Sequence, residues 1–367
     1  MKIKYPSING LRAISITLVV IHHLCLQNRI FKIFADTAWL KPLLSFLQDG
    51  QLGVNVFFVI SGFLITSLMQ QEEIKTNTVS LKDFYIRRTL RIFPAYYTLL
   101  LVYFVLQLLG YIHIPKESWL TAATYTKYFN WKLDWYTRHA WSLSIEEHFY
   151  ILWPLIFLAG NKVRKIISIS LIIIVPFVRL YEFFHPTSWL NELTIFTRID
   201  AISIGCLFAL FKDEIVKKMS PHWNKIFYFS VICIFVLRYL PVLAHKVHLG
   251  FIFIPLGVTH GTIANILIAF IMMYSVFKQR GAWFKILNWK FINYIGLLSY
   301  SIYLWQQFFI YKSDYWINQF PQNVFCMMVV AICSYNFIEK PFLKLKSKFQ
   351  GARKKQAPVP AYVANEI

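Results

Sequence analysis

Long apolar blocks alternate with short polar clusters along the whole chain. A helix needs roughly 20 mostly apolar residues to cross the hydrocarbon core of a bilayer, and ten blocks approach that length, near 9–27, 52–70, 93–112, 141–160, 165–181, 197–211, 225–241, 261–277, 291–311 and 322–338. The pattern predicts an all-α, polytopic integral membrane protein with about ten transmembrane helices. The membrane-embedded unit spans 1–345, and a basic, flexible cytoplasmic tail occupies 346–367. Lys2 and Lys4 precede the first block as they would in a secretory signal. That block lacks an A-x-A cleavage site and carries Arg12 and His23, so it is expected to remain as the first span. The outer stretch 113–140 is expected to hold a short interfacial helix. The stretch 28–51, with Phe31, Phe34, Trp39, Leu43, Leu44, Phe46 and Leu47, is expected to lie along the outer interface.

Composition narrows the class. Of 367 residues, 57% are hydrophobic, 18% aromatic and only 15% charged, against about 25% charged in soluble domains. Five cysteines (Cys25, Cys206, Cys233, Cys326, Cys333) sit in apolar runs with neither CxxC nor zinc spacing. They read as small buried hydrophobes, so no disulfide framework, metal site or bound cofactor is expected.

The formal net charge is +21, which in a soluble protein would point to nucleic acid. Its placement points instead to topology. With the N-terminus inside, the cytoplasmic pieces carry three, five, three, four, four and seven Lys and Arg, 26 of the 38 in the chain. By the positive-inside rule both termini are cytoplasmic, in a multi-pass protein of the inner or plasma membrane. The expected partner is the lipid bilayer, and no nucleic acid.

Ionisable residues inside a span are costly and therefore candidate functional groups. Arg12 and His23 are eleven residues apart, about three helical turns, so they share one face and are separated by roughly 16 Å along the axis. Imidazole suits proton abstraction near neutral pH, and guanidinium suits a phosphate-bearing ligand. The alternatives are that Arg12 snorkels to lipid phosphate and that His23 is a packing group. Ser142-Leu143-Ser144-Ile145-Glu146-Glu147-His148 lies at the outer end of the fourth block. Its adjacent carboxylates point about 100° apart, so one of them can face the first span and orient His23. In the cytoplasmic connection before the third block, Ser80 and Asp83 fit a capping box, and Arg88 and Arg91 share one helix face. Those two suit phosphate, with lipid headgroups as the bland ligand. Arg198 and Asp200, at i and i+2, cannot pair with each other and must find partners elsewhere. Asn55 and Ser61 read equally as helix-packing or site residues. The aromatics Trp119, Tyr125, Tyr128, Trp131, Trp135, Tyr136 and Trp141 could stack sugars or form an interfacial belt. Glu339, with Lys340 and Pro341, is expected to end the last span.

Taken in order, these segments resemble the acyltransferase-3 family of integral membrane O-acyltransferases, from about Ile8 to Phe342. The resemblance rests on Asn9-Gly10-Leu11-Arg12-Ala13 with His23, then Val56 to Ile65, Phe84 to Pro94 and His139 to Tyr150. It continues through Arg198-Ile199-Asp200-Ala201, Ser299 to Trp305, and Ile338-Glu339-Lys340-Pro341-Phe342. It implies a ten-helix enzyme that takes an acyl group, commonly acetyl, from cytosolic acyl-CoA. The acceptor is a hydroxyl of a cell-surface glycan or its lipid-linked precursor. The family's Arg-x10-His pair falls on Arg12 and His23, its Arg-x-x-Arg on Arg88 and Arg91, and its carboxylate on Glu146. One departure is visible, because the aromatic motif usually continues Trp-His whereas here Gln306 follows Trp305. Fused members carry an esterase-like domain after the membrane unit, and delivery here is expected to be completed without one.

Residues and resemblance together nominate His23, Glu146 and Arg12 as catalytic. As substrate-binding they nominate Arg88, Arg91, Arg198, Asp200, Trp141, Ser142, Asn55, Ser61 and Tyr303. His23 is expected to act as a base steadied by Glu146, or as an acyl-imidazole relay. The rival class is a transporter or exporter of small anions or lipid-linked sugars, for which matched halves with broken helices would be expected.

Overall fold

Each of the ten apolar blocks coincides with a helix, and among the described residues there is no β-strand. The computed structural model describes residues 5–27, 46, 49–129, 134–185, 194–246 and 250–345. Lys2, Lys4, most of the stretch expected along the outer interface, Trp131 and the tail 346–367 lie outside the described residues. In chain order the helices are α1 (Ile8–Gln27), α2 (Gly50–Thr76), α3 (Leu81–Leu108), α4 (Lys116–Ala123), α5 (Ala140–Leu158), α6 (Asn161–Phe184) and α7 (Thr194–Leu210). There follow α8 (Lys212–Met219), α9 (Trp223–Lys246), α10 (Gly250–Phe277), α11 (Ala282–Leu287), α12 (Lys290–Phe309) and α13 (Gln322–Ser334). The last runs on through a π-helical turn, Tyr335–Glu339. Among the described residues, five helices are long and apolar enough to cross a membrane: α1, α2, α3, α6 and the continuous Gln322–Leu345. The short α4 occupies the stretch where an interfacial helix was expected.

Helix α6 shows the inverted packing of a lipid-facing helix. Its buried residues are Arg164, Ser168 and Val175, while Ile166, Ile169, Ile173, Ile174 and Phe177 are exposed. In water such a face would be an aggregation hazard, and in acyl chains it is at home. Arg164 spends its fork on both carboxylate oxygens of Glu73 (2.8 and 2.7 Å) and its Nε on the Phe157 carbonyl (2.6 Å), which ties α6 to the end of α2.

The centre is built on α1, α2, α7 and α12, which make the most extensive contacts. Small residues permit them. A methyl group at Gly62 would overlap the Ile202 carbonyl, and one at Gly205 the Val59 carbonyl, so α2 and α7 meet backbone to backbone. Gly296 on α12 meets the Asn9 carbonyl of α1 in the same way.

One expectation changes. Arg88 and Arg91 share one continuous helix with the third apolar block, α3, 28 residues from Leu81 to Leu108 with Pro94 inside it, rather than standing on a separate helix before it. Ser80 caps it, accepting from the Asp83 amide at 3.4 Å. The helix continues past Pro94 because its partly buried arginines and Tyr96 pack inward on neighbouring elements, and that outweighs one lost backbone bond.

Candidate active site

A cavity of about 330 Å³ opens between α1, α2, α3, α5, α12 and the end of α13. Arg12, Arg88 and Arg91 line it, together with Glu146, Glu339, Ser61, Ser142, Tyr150, Tyr300 and Tyr303. Three guanidinium groups against two carboxylates make it a cationic hollow walled by aromatic rings.

The arginines are held differently. Arg88 stands over the Tyr150 ring, 3.3 Å from its centroid. Glu146 Oε2 and Glu147 Oε1 each lie 3.6 Å from its guanidinium nitrogens. Glu146 is fixed in turn by Ser61 Oγ, which donates to Oε1 at 3.0 Å, and by the Tyr150 hydroxyl, which donates to Oε2 at 2.9 Å. Tyr150 follows Glu146 by four residues and so shares its helix face. Arg12 and Arg91 make no hydrogen bond to a described residue. They feel each other, Arg88, Tyr150 and Glu146 electrostatically. Two unspent guanidinium forks in one cavity are suited to an anion with several oxygens.

Opposite them, Glu339 does more than end a span. It is 7% exposed, accepts a hydrogen bond from Ser301 Oγ and faces Arg91. The π-helical turn Tyr335–Glu339 re-aims this residue into the bundle. At the end of the cavity next to the start of α5, Tyr303 donates to the His139 carbonyl. Its oxygen therefore accepts from Ser142 Oγ, 2.7 Å away.

His23 is not among the residues that line this cavity. It lies beyond the Ser142–Tyr303–His139 contact, half-buried, with its Nδ1 3.2 Å from Gln306 Oε1 and its Nε2 3.3 Å from Gln307 Nε2. The Trp135 ring meets it edge-on at 5.7 Å, and the Trp135 indole donates to the Gln307 carbonyl at 2.8 Å. His139 is 3% exposed, stacks edge-to-face with Tyr303 at 5.2 Å and is an electrostatic neighbour of His23. Arg12 and His23 therefore do not meet in this cavity: Arg12 lines it and His23 does not. The expected support of His23 by Glu146 is not among the contacts of either residue, because Glu146 is turned toward Arg88 on α3 and glutamine amides occupy His23.

Other nominated residues lie outside the cavity lining. Asp200 is fully buried and accepts from Arg179 Nη2 (2.7 Å), Thr262 Oγ1 (2.6 Å) and Asn265 Nδ2 (3.3 Å), which locks α6, α7 and α10 together. Arg198 stands near Arg179, Arg238 and Asp49. Asn55 accepts from Gln51 of its own helix at 2.9 Å, and Trp141 meets Phe58 edge-on at 6.3 Å. Glu147, Tyr150, Tyr300, Glu339, Gln306 and Gln307 went unread as site residues. Only Tyr150 carried a spacing signal.

The connection between α3 and α5 is anchored by an ion pair. Lys127, fully buried, reaches Asp134 Oδ2 at 2.7 Å. Asp134 Oδ1 also accepts from the Thr137 amide at 2.7 Å. Burial works against the Asp134 charge, yet Lys127 and Thr137 outweigh it and hold the carboxyl below its usual range. Among the described residues, no group of His, Cys, Asp and Glu could hold a metal.

Comparison with known proteins agrees with the arrangement of these segments. The family model of the acyltransferase domain (acyltransferase-3) matches residues 5–335. The O-acetyltransferase OatA of Staphylococcus aureus (strain NCTC 8325 / PS 47) is 29% identical over 371 residues, covering 92% of this chain and 57% of the relative. A protein of S. aureus strain COL that carries a provisional O-acetyltransferase name is 30% identical over 378 residues, covering 94% of this chain and 58% of the relative. The chain therefore spans well under two thirds of the length of these curated relatives. No solved structure matches it. With a family match across nearly its whole length, the chain belongs to the acyltransferase-3 family of acyltransferase domains.

Proposed function

We propose that this protein is a membrane-bound O-acyltransferase that moves an acyl group, acetyl in the first instance, from cytosolic acyl-CoA to a hydroxyl of a cell-surface glycan or its lipid-linked precursor. The observation that carries the reading is the convergence of Arg12, Arg88 and Arg91 on one cavity with two unspent guanidinium forks. Family membership and the names of the relatives support the acyl chemistry.

In this reading about ten helices span the cytoplasmic membrane with both termini inside, and residues 1–345 form the catalytic unit. The donor phosphates meet Arg12, Arg88 and Arg91, and the thioester is carried outward toward Tyr303 and Ser142. The acceptor hydroxyl gives its proton to His23, its oxygen bonds to the acyl carbon, the C–S bond breaks, and the proton goes to the departing thiolate. Alternatively, His23 takes the acyl group first and passes it to the hydroxyl. Asp200, Arg198, Asn55 and Trp141 shape the helices around this path. The residues need no metal or resident cofactor for these steps.

The test is acetyl transfer from radiolabelled acetyl-CoA to glycan in membranes containing the protein. Wild type should label the glycan, and His23→Ala should lose the label while inserting normally. A His23→Ala protein with full transfer would remove His23 from the mechanism, and failure of wild type to consume acetyl-CoA would favour a transporter.

A further inference from the structure

An imidazole nitrogen that faces an amide oxygen must carry hydrogen, and one that faces an amide NH2 must offer its lone pair. His23 Nδ1 faces Gln306 Oε1 and His23 Nε2 faces Gln307 Nε2. Both conditions are met by a single neutral tautomer, with the proton on Nδ1 and the lone pair on Nε2. Two consecutive residues of α12 therefore read the two sides of one ring.

The amides are not placed for their own satisfaction. Gln306 and Gln307 are both fully buried, yet Gln306 Nε2 and Gln307 Oε1 have no partner among the described residues. Each leaves half of its hydrogen-bonding capacity unspent in the interior, which is costly when only packing is served. Such half-used groups are expected where function outweighs stability. Gln306, which faces Nδ1, is a group that does not titrate.

We infer that Gln306 and Gln307 are positioning residues that hold His23 in the Nδ1–H tautomer, so that Nε2 is the atom that takes the acceptor hydroxyl's proton. This rests on the reading of His23 as the base. The acceptor O–H bond breaks toward Nε2, the new O–C bond forms at the thioester carbonyl, the C–S bond breaks, and Nε2–H returns the proton to the thiolate. The electrostatic neighbours of the ring are His22 on its own helix and Arg138 and His139 from the connection between α3 and α5. The two groups that meet it from α12 are neutral.

The same substitution at the two positions separates this role from packing. Gln306→Glu keeps an acceptor opposite Nδ1. Gln307→Glu replaces the donor opposite Nε2 with an acceptor, so Nε2 takes up a proton. The experiment records nitrogen-15 spectra of histidine-labelled protein in lipid at about pH 8, with the His23 signals identified by their loss in His23→Ala, alongside kcat and KM for acetyl-CoA. Wild type and Gln306→Glu should show an unprotonated Nε2 and a protonated Nδ1. Gln307→Glu should show a protonated Nε2 and a kcat lower by on the order of a hundredfold, with the KM for acetyl-CoA unchanged. In Gln306→Glu the rising limb of the pH–rate profile should move to higher pH, because a carboxylate favours the imidazolium. A wild-type ring protonated on Nε2, or a Gln307→Glu protein with wild-type kcat, would overturn the inference. The wild-type spectrum needs no turnover, so it decides the glutamine assignment even if His23→Ala retains transfer and the base reading itself falls.

Discussion

Arg12 and Arg88 face the same cavity but are held in opposite ways, and their variants should separate binding from stability. Arg88 lies between Glu146 and Glu147 and over Tyr150. Arg88→Met strands two largely buried carboxylates, a loss on the order of 3–5 kcal/mol when a buried pair is broken from one side. A clear drop in melting temperature in detergent is the expected outcome, together with weaker donor use. Arg12 makes no hydrogen bond to a described residue. Arg12→Lys should therefore melt close to wild type, within about 0.5 kcal/mol. It should still raise the KM for acetyl-CoA on the order of tenfold, the worth of one charge-assisted hydrogen bond. Equal KM values in steady-state assays would take Arg12 out of donor binding. The phase of Arg12 and His23 on one helix face was legible from the helical period alone. Their neighbours were not. His23 is completed by residues 283 and 284 positions away, and no local spacing announces a contact of that range.

At the level of helices, boundaries and caps followed local chemistry, whereas continuity and rotation followed packing. Ser80 starts α3 through one half of the expected capping box, its hydroxyl accepting from the Asp83 amide while its own amide donates to Glu72 Oε1, and Ser80→Ala should cost about 1 kcal/mol. Pro94 did not separate two helices, because inward side chains on both sides of it hold one axis. Glu146 faced Arg88 rather than His23 for a related reason: which face of α5 turns toward α3 depends on the whole interface, and adjacent carboxylates offered either choice. The close meeting of α2 and α7 is a demanding interface, since glycines from both helices permit it. Gly62→Val and Gly205→Val should each prevent the backbones from meeting, since the added carbons would overlap the Ile202 and Val59 carbonyls. The expected outcome is loss of folded protein on size-exclusion chromatography, with residual material inactive.

For the molecule as a whole, hydropathy alone announced an all-helical membrane fold, but in the connection between α3 and α5 the sequence suggested a short helix and an aromatic belt, and not the ion pair that closes it. Its anchor is the Lys127–Asp134 pair, in which the carboxyl is held below its ordinary value. That stabilisation is fully present above about pH 4, the unfolded carboxyl value. It is lost as pH falls through the lower folded value. Thermal melts between neutral pH and pH 3 should therefore converge for wild type and Asp134→Asn as the medium becomes acid. A difference that persists unchanged at the acid end would mean that the pair contributes nothing. The contact of Ser142, Tyr303 and His139 has a consequence for bioenergetics. In the proposed transfer, this hydrogen-bonded stack at the end of the arginine hollow serves as a bulkhead, so that cargo is handed across without a continuous file of water. A cell energised by a proton gradient could then keep such an enzyme in its membrane without short-circuiting it. Proteoliposomes carrying Tyr303→Gly should leak protons measurably faster than wild type in a pH-dye assay, while Tyr303→Phe, which keeps the ring, should stay tight.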